Sequence, residues 1–211
     1  RVVNALSYGV LQFRERILMI GFEEEKFKRE AIYNVDEKNY FNFPWRKYKQ
    51  FEIDNILKLN WPDAEEFEEN SNRDFVYDVP KSLTVEYWFR KNHVTKHPNQ
   101  NRIFAVKSGL DKMQRILEGD TKRKSFKRLH RWKYSPTAAY GNNEVHLHPY
   151  KIRRLSVAEA MAIQSLPENF ILPNDISLTA MFKMIGNGVP YLMAECIAKT
   201  LTELVIQIYD V

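Results

Sequence analysis

The apolar positions of the chain follow three different patterns. Near the start, Ile17-Leu18-Met19-Ile20-Gly21-Phe22 is an unbroken apolar run. A run without alternation is the pattern of a strand covered on both faces, as in α/β sheets, and it predicts a strand over 17–22 whose partners lie outside the chain. In the middle, Tyr40, Phe41, Phe43, Trp45 and Tyr48 supply the aromatics for a small core. Asn60-Trp61-Pro62-Asp63 and Asp78-Val79-Pro80 read as turns, and Thr84-Val85-Glu86-Tyr87-Trp88-Phe89 is strand-like by residue type. From Arg153 onward the period becomes helical. Ser156 and Glu159 stand at capping-box spacing, Val157, Ala160, Met161 and Ile163 follow on one face, and Pro167 stops the helix. A short helix is expected over 178–184. Pro190 then suits the first position of a last helix, with Leu192, Met193, Ile197, Leu201, Leu204, Val205 and Ile208 as its buried stripe. Cys196 falls on the same stripe and reads as a small core residue.

Composition narrows the class. With 211 residues, 44% hydrophobic and 28% charged, the chain is globular rather than disordered or collagen-like, and about 150 residues per domain gives one to two domains. One cysteine excludes a disulfide framework or a cysteine zinc site. No stretch approaches the roughly 18 apolar residues of a membrane span. The chain opens at Arg1 straight into Val2-Val3, in mid-pattern, so residues upstream are expected. Its net charge of +5 permits a nucleic-acid partner without requiring one.

The distribution of charge says more than the total. Glu52 to Asp78 holds nine acids and two bases, and reads as an exposed helical insert that repels phosphate. Lys122 to Lys133 holds seven bases and no acid: Lys122, Arg123, Lys124, Lys127, Arg128, Arg131 and Lys133, interleaved with Phe126, Leu129 and Trp132. A solvated surface is the plain reading of such a run. The flanking Gly119-Asp120-Thr121 and Ser135-Pro136-Thr137 favour contact with nucleic acid, because loops carrying bases and small hydroxyls meet backbones and base edges.

Candidate chemistry is sparse. Ile185-Gly186-Asn187-Gly188-Val189-Pro190 feeds a helix whose free N–H groups attract an anion such as a carboxylate; on spacing alone a plain helix corner is the favoured reading. Gln12-Phe13-Arg14-Glu15-Arg16 puts two guanidinium groups on one face if extended. The pairs His93/His97 and His146/His148 lack a third ligand at zinc spacing, so no metal site is expected. No P-loop, nucleophile elbow or dinucleotide fingerprint occurs.

Three blocks together carry a resemblance. The segment Asn4-Ala5-Leu6-Ser7-Tyr8-Gly9-Val10-Leu11-Gln12-Phe13-Arg14-Glu15-Arg16 resembles motif VIII of the DNA (cytosine-5)-methyltransferases, with its Gln-x-Arg-x-Arg core. Arg153-Arg154-Leu155-Ser156-Val157-Ala158-Glu159-Ala160-Met161-Ala162-Ile163-Gln164-Ser165-Leu166-Pro167 resembles motif IX, and Phe182-Lys183-Met184-Ile185-Gly186-Asn187-Gly188-Val189-Pro190 resembles motif X. Their order, and the long gap between the first two, match the family layout. The resemblance implies an α/β fold: the C-terminal part of a Rossmann-like S-adenosylmethionine-dependent methyltransferase domain plus a mixed α+β target-recognition domain. Residues 1–22 would end the catalytic domain, 23–152 would form the recognition domain, and 153–211 would return to the catalytic domain.

In that family a cysteine thiolate attacks C6 of a flipped cytosine in duplex DNA, a glutamate assists at N3, and C5 takes the methyl of S-adenosylmethionine. The Pro-Cys and Glu-Asn-Val motifs carrying those two residues are not in this chain, so a missing N-terminal catalytic portion or a separate catalytic subunit is expected. By resemblance Arg16 contacts the flipped cytosine, supported by Arg14 and Gln12, and Asn187, Gly188 and Val189 contact the cofactor. Lys122, Arg123, Lys124, Lys127, Arg128, Arg131, Thr137 and Asn142 are the expected DNA contacts, from position rather than motif. Ala158 and Ala162 stand where many family members have arginine. The implied setting is a bacterial restriction–modification system in the cytoplasm. The alternatives are a non-catalytic specificity subunit of a two-chain enzyme and a tRNA cytosine methyltransferase.

Overall fold

A computed structural model describes residues 1–21, 43–106, 108–141 and 144–209. Strands β1 (Val2–Asn4) and β2 (Glu15–Ile17) pair antiparallel, with Val2 opposite Ile17 and Asn4 opposite Glu15. A 3₁₀ turn, Ala5–Tyr8, follows β1, capped by Asn4 and closed by Gly9 at φ 80°. The helices are α1 (Ile53–Lys58), α2 (Val85–Lys91), α3 (Leu110–Gln114), α4 (Val157–Ile163), α5 (Leu178–Asn187) and α6 (Tyr191–Tyr209). Among the described residues no helix is long and apolar enough to cross a membrane.

The largest core joins α2, α4 and α5 with loop residues that include Leu129, Ala138, Tyr140 and Leu155. Helix α4 is its centre: all seven residues are buried. The capping box forms as the spacing predicts, Ser156 accepting from the Glu159 amide and Glu159 from the Ser156 amide. Ala158 and Ala162 lie inside this core, where alanine leaves no charge to satisfy. A second cluster packs Val3, Ala5, Tyr8 and Val10 against Met193 and Cys196 of α6. A third joins Leu6 to Ile56 and Leu83. The first 21 residues therefore touch both the middle and the end of the chain.

Three expectations are corrected. The strand expected over 17–22 is displaced: β2 ends at Ile17, Ile17 and Met19 are 74% and 90% exposed, and Phe22 lies outside the described residues. Among the described residues the sheet formed is two-stranded and antiparallel. Thr84–Phe89 is helical rather than extended. The Thr84 hydroxyl caps the Tyr87 amide at 3.4 Å, and the helix buries Val85, Trp88 and Phe89 on one side, so packing overrides β-propensity. The acidic segment 52–78 is helical only over α1. In the aromatic group, Tyr40 and Phe41 lie outside the described residues, whereas Phe43 meets Trp45 edge-to-face at 4.7 Å and packs on Leu204.

Helix α5 runs three residues past its expected end, through Gly186. A Cβ on Gly186 would lie 2.8 Å from the Tyr140 amide nitrogen and 3.0 Å from its carbonyl oxygen. This glycine therefore serves close packing against the 138–140 loop rather than a turn. Within α6, Met193, Cys196, Thr200 and Leu204 form the buried stripe, while Val205 is exposed.

Candidate functional site

Two buried polar side chains draw the three sequence blocks together. Gln12 is fully buried. Its amide donates to the Ile163 carbonyl and to Gln164 Oε1 at 3.3 and 3.4 Å, and its Oε1 accepts from the Ala138 amide at 3.0 Å. Arg14 is also fully buried. Its guanidinium donates to the carbonyls of Ala138 (3.1 Å), Gly186 (2.5 Å) and Gly188 (3.2 Å). No carboxylate is among its partners. The C-terminal end of α5 supplies negative helix-dipole character instead. Gln164 closes the ring by donating to the Ile185 carbonyl at 2.6 Å. Gln12 and Arg14 are thus held by the chain itself and act as positioning residues. Arg16 differs: it is partly exposed, and its one recorded bond is to the neighbouring Glu15 carbonyl. Its guanidinium remains open to a ligand.

The basic run divides the same way. Arg128 is fully buried and donates to the carbonyls of Ile116, His148, Lys151 and Met113, with its guanidinium 3.8 Å from the Phe67 ring centroid. Burial lowers its pKa to about 10, against the pull of Glu118 and Glu69. Arg131 pairs with buried Glu118 through both arms at 2.8 Å and reaches Ser71. These two expected DNA contacts are corrected to structural posts, because their donors already face acceptors inside the fold. Arg123 is exposed and paired with Asp120 at 2.5 Å. Lys122 and Lys124 are exposed and Lys127 partly so, with no ion-pair partner among the described residues. Thr137 donates to the Phe13 carbonyl at 2.8 Å and keeps part of its surface open. Asn142 lies outside the described residues.

Of the open bases, Lys127 borders two grooves, which also share Thr137 and Ala139. One, of about 270 Å³, is lined by Lys124, Lys127 and Arg154 among others, with Glu144 also on its wall. The other, of about 500 Å³, adds Thr121, Lys133 and Phe13. Lys133 donates to the Pro62 carbonyl at 3.0 Å, and burial lowers its pKa. Arg154 is a groove residue that its motif position did not reveal. Its neighbour Arg153 is bound to Glu159 through both arms at 2.8 and 2.7 Å. Nothing in two adjacent arginines says which one turns inward; Glu159, six residues on, is the only hint.

At the corner before α6, Asn187 and Val189 are exposed. Gly188 and Val189 line an apolar hollow of about 160 Å³ together with Phe170 and Met184; Asn187 is not on its wall. The expected anion site at the helix start is corrected. The Tyr191 amide donates to the Gln164 carbonyl at 2.9 Å and the Leu192 amide to Ser165 Oγ at 3.1 Å, so those donors are taken.

The histidines are used structurally. His97 accepts from the Asn99 amide, and His148 from the Tyr150 amide. Burial pushes His146 down to about 3 and also lowers His148, so both are neutral near pH 7. The fold does assemble one potential metal cluster that sequence spacing missed: Glu65, Glu118 and His130 have ligand atoms within 4.8 Å. Arg131 and Arg73 already face those carboxylates, Arg73 lying 2.7 Å from Glu65. Two acids against two guanidinium groups form a closed network, and an added divalent cation would carry uncompensated charge.

Comparison with known proteins gives a consistent result. A family model described as C-5 cytosine-specific DNA methylase matches residues 1–203. The type II methyltransferase M.NmeDI of Neisseria meningitidis serogroup C is 48% identical over 201 residues, which are 95% of this chain and 44% of that protein. M.FnuDI of Fusobacterium nucleatum is 27% identical over 212 residues, 96% of this chain and 55% of that protein. The chain thus spans about half the length of these curated relatives. M.AquIB of Picosynechococcus is shorter: a match at 25% identity covers 53% of this chain and 92% of that protein. A crystal structure assigned to a DNA modification methyltransferase encoded within an E. coli prophage superposes with a TM-score of 0.55 at 20% identity, covering 97% of this chain and 59% of that one.

Proposed function

The chain belongs to the C-5 cytosine-specific DNA methylase family, and on that premise we propose that it is the target-reading and closing part of a DNA (cytosine-5)-methyltransferase acting on a specific duplex sequence. One observation carries this reading. The motif VIII residues Gln12 and Arg14 bond directly to the motif IX segment at Ile163 and Gln164 and to the motif X corner at Gly186 and Gly188. The same side chains hold Ala138, in the loop that walls the grooves. Three separated blocks are therefore one assembly, placed beside an open basic surface.

In this reading Lys122, Lys124 and Lys127 contact phosphates, because exposed ammonium groups without partners release counterions on binding. Thr137 lies within reach of the same duplex. Arg16 donates to the carbonyl oxygen of the flipped cytosine and stabilises the charge that develops as C6 is attacked. Asn187, Gly188 and Val189 hold S-adenosylmethionine, which supplies the methyl group when bound. Cys196 is not the attacking sulfur: it is buried on α6 among apolar neighbours, and burial raises its pKa. The thiolate and the assisting glutamate come from a catalytic portion outside these residues. The exposed Val2, Ile17 and Met19 offer that portion an apolar edge.

The short relative M.AquIB favours a second arrangement, in which the reading part is a separate subunit paired with a catalytic chain. Bisulfite mapping of host DNA, with and without the gene, tests the activity. Methylation at one short sequence is expected; unaltered cytosines throughout would refute it. In the complete enzyme Arg16→Ala should lower the methylation rate by about 10²- to 10³-fold while duplex affinity stays within a few-fold. An unchanged rate would remove Arg16 from the reaction.

A further inference from the structure

Arg154 is the anomaly among the arginines of the basic region. Arg123 faces an aspartate, Arg131 and Arg153 face buried glutamates, and Arg128 faces four carbonyls. The Arg154 guanidinium is partly buried on the groove wall, with no acceptor or carboxylate partner among the described residues. Partial burial lowers its pKa. It is also held in place. Its Cζ lies 5.6 Å from the Phe126 ring centroid, and Phe126 packs onto Met113, Ile116 and Leu147. Phe126 itself sits at φ 55°, a conformation that a bulky residue rarely adopts. The ring, packed on that cluster, flanks the guanidinium.

Resting on the reading of this chain as a duplex-DNA reader, we propose that Arg154 is a specificity-determining residue whose guanidinium fork takes the O6 and N7 of a guanine in the target sequence. A planar fork restrained on an aromatic face suits bidentate base recognition. One wall residue, Glu144, favours a base over a phosphate at the guanidinium. Glu144 lines the same groove and has no cation partner among the described residues. A free carboxylate repels a phosphate, yet it accepts from the amino group of cytosine, the partner of guanine in a base pair. Lys124 and Lys127, which line the same groove, meet the phosphate backbone.

The test uses the full-length enzyme and duplexes bearing its mapped target, with each guanine replaced in turn by 7-deazaguanine, which lacks the N7 acceptor. Wild-type affinity is expected to fall about tenfold at one guanine, and at that position Arg154→Gln should show no further loss. Arg154→Lys should keep the salt dependence of binding while losing about 10- to 100-fold of discrimination between that guanine and other bases. A uniform loss across all sequences, with the salt slope reduced by about one, would make Arg154 a phosphate contact and overturn the assignment. Unchanged affinity and discrimination in both variants would overturn it too. Should Arg154→Lys fail to fold, the 7-deazaguanine series on the wild type decides alone. A wild-type enzyme that discriminates among no duplexes would refute the DNA-reading premise itself, a result distinct from the loss of this one contact.

Discussion

At the scale of single residues, charge in the sequence does not tell which charges are free. Seven bases between Lys122 and Lys133 look alike on paper. The fold takes Arg128 and Arg131 into its interior and leaves Lys122, Lys124 and Lys127 open. The same holds in the motif VIII block, where Arg14 is interior and Arg16 is not. What separates them is the set of acceptors that tertiary contacts bring, from residues more than a hundred positions away. The block's existence was legible, and so was its kinship; the division of labour within it was not. Arg14→Ala strands the carbonyls of Ala138, Gly186 and Gly188 without donors and is expected to lower folding stability by about 3–5 kcal/mol, against under about 1 kcal/mol for Arg16→Ala. Chemical denaturation of the two variants in parallel measures the contrast. Equal losses would mean that the Arg14 bonds do not carry the assembly.

Among elements, legibility followed local determinism. The α4 cap was readable because Ser156 and Glu159 satisfy each other within one turn. Thr84–Phe89 misled because its β-branched and aromatic residues favour a strand by type, while the burial of Trp88 and Phe89 in the largest core decides for a helix. Likewise α5 passes through Gly186, a residue that by propensity ends helices, because the close approach of Tyr140 demands a missing side chain. Gly186→Ala places a Cβ 2.8 Å from backbone that cannot swing aside. The clash should cost about 1–3 kcal/mol, despite the gain in helix propensity of about 1 kcal/mol. A lowered thermal midpoint is the expected result, and a raised one would show that α5 and the 138–140 loop are not packed this tightly. Because that loop borders the grooves and α5 ends at the proposed cofactor corner, the substitution should also weaken target discrimination.

For the molecule as a whole, buried titrating groups set a pH limit that composition conceals. His146 is neutral in the fold, with its pKa down at about 3 because of burial beside Lys127, and burial lowers His148 also. An unfolded histidine titrates near 6.5. Between those values the unfolded chain binds the proton and the folded chain does not, so stability falls as pH drops below about 6.5. Each such histidine contributes a slope of up to about 1.4 kcal/mol per pH unit. Glu159 acts lower on the scale: burial alone would raise its carboxyl, but His148, Arg153 and the Ser156 amide hold it well below the ordinary range. Its contribution is present above its unfolded value and lost as pH falls through the folded one. The two effects add in the same direction but begin at different pH. Denaturant midpoints from pH 8 to 4 should stay level above about pH 7 and decline steadily below about 6.5. His146→Phe, which keeps the ring volume and removes the titration, should flatten that decline while sacrificing the Tyr140 contact. A wild-type profile flat to pH 5 would show that the histidines take up protons within the fold, and would open the interior beside the groove to water.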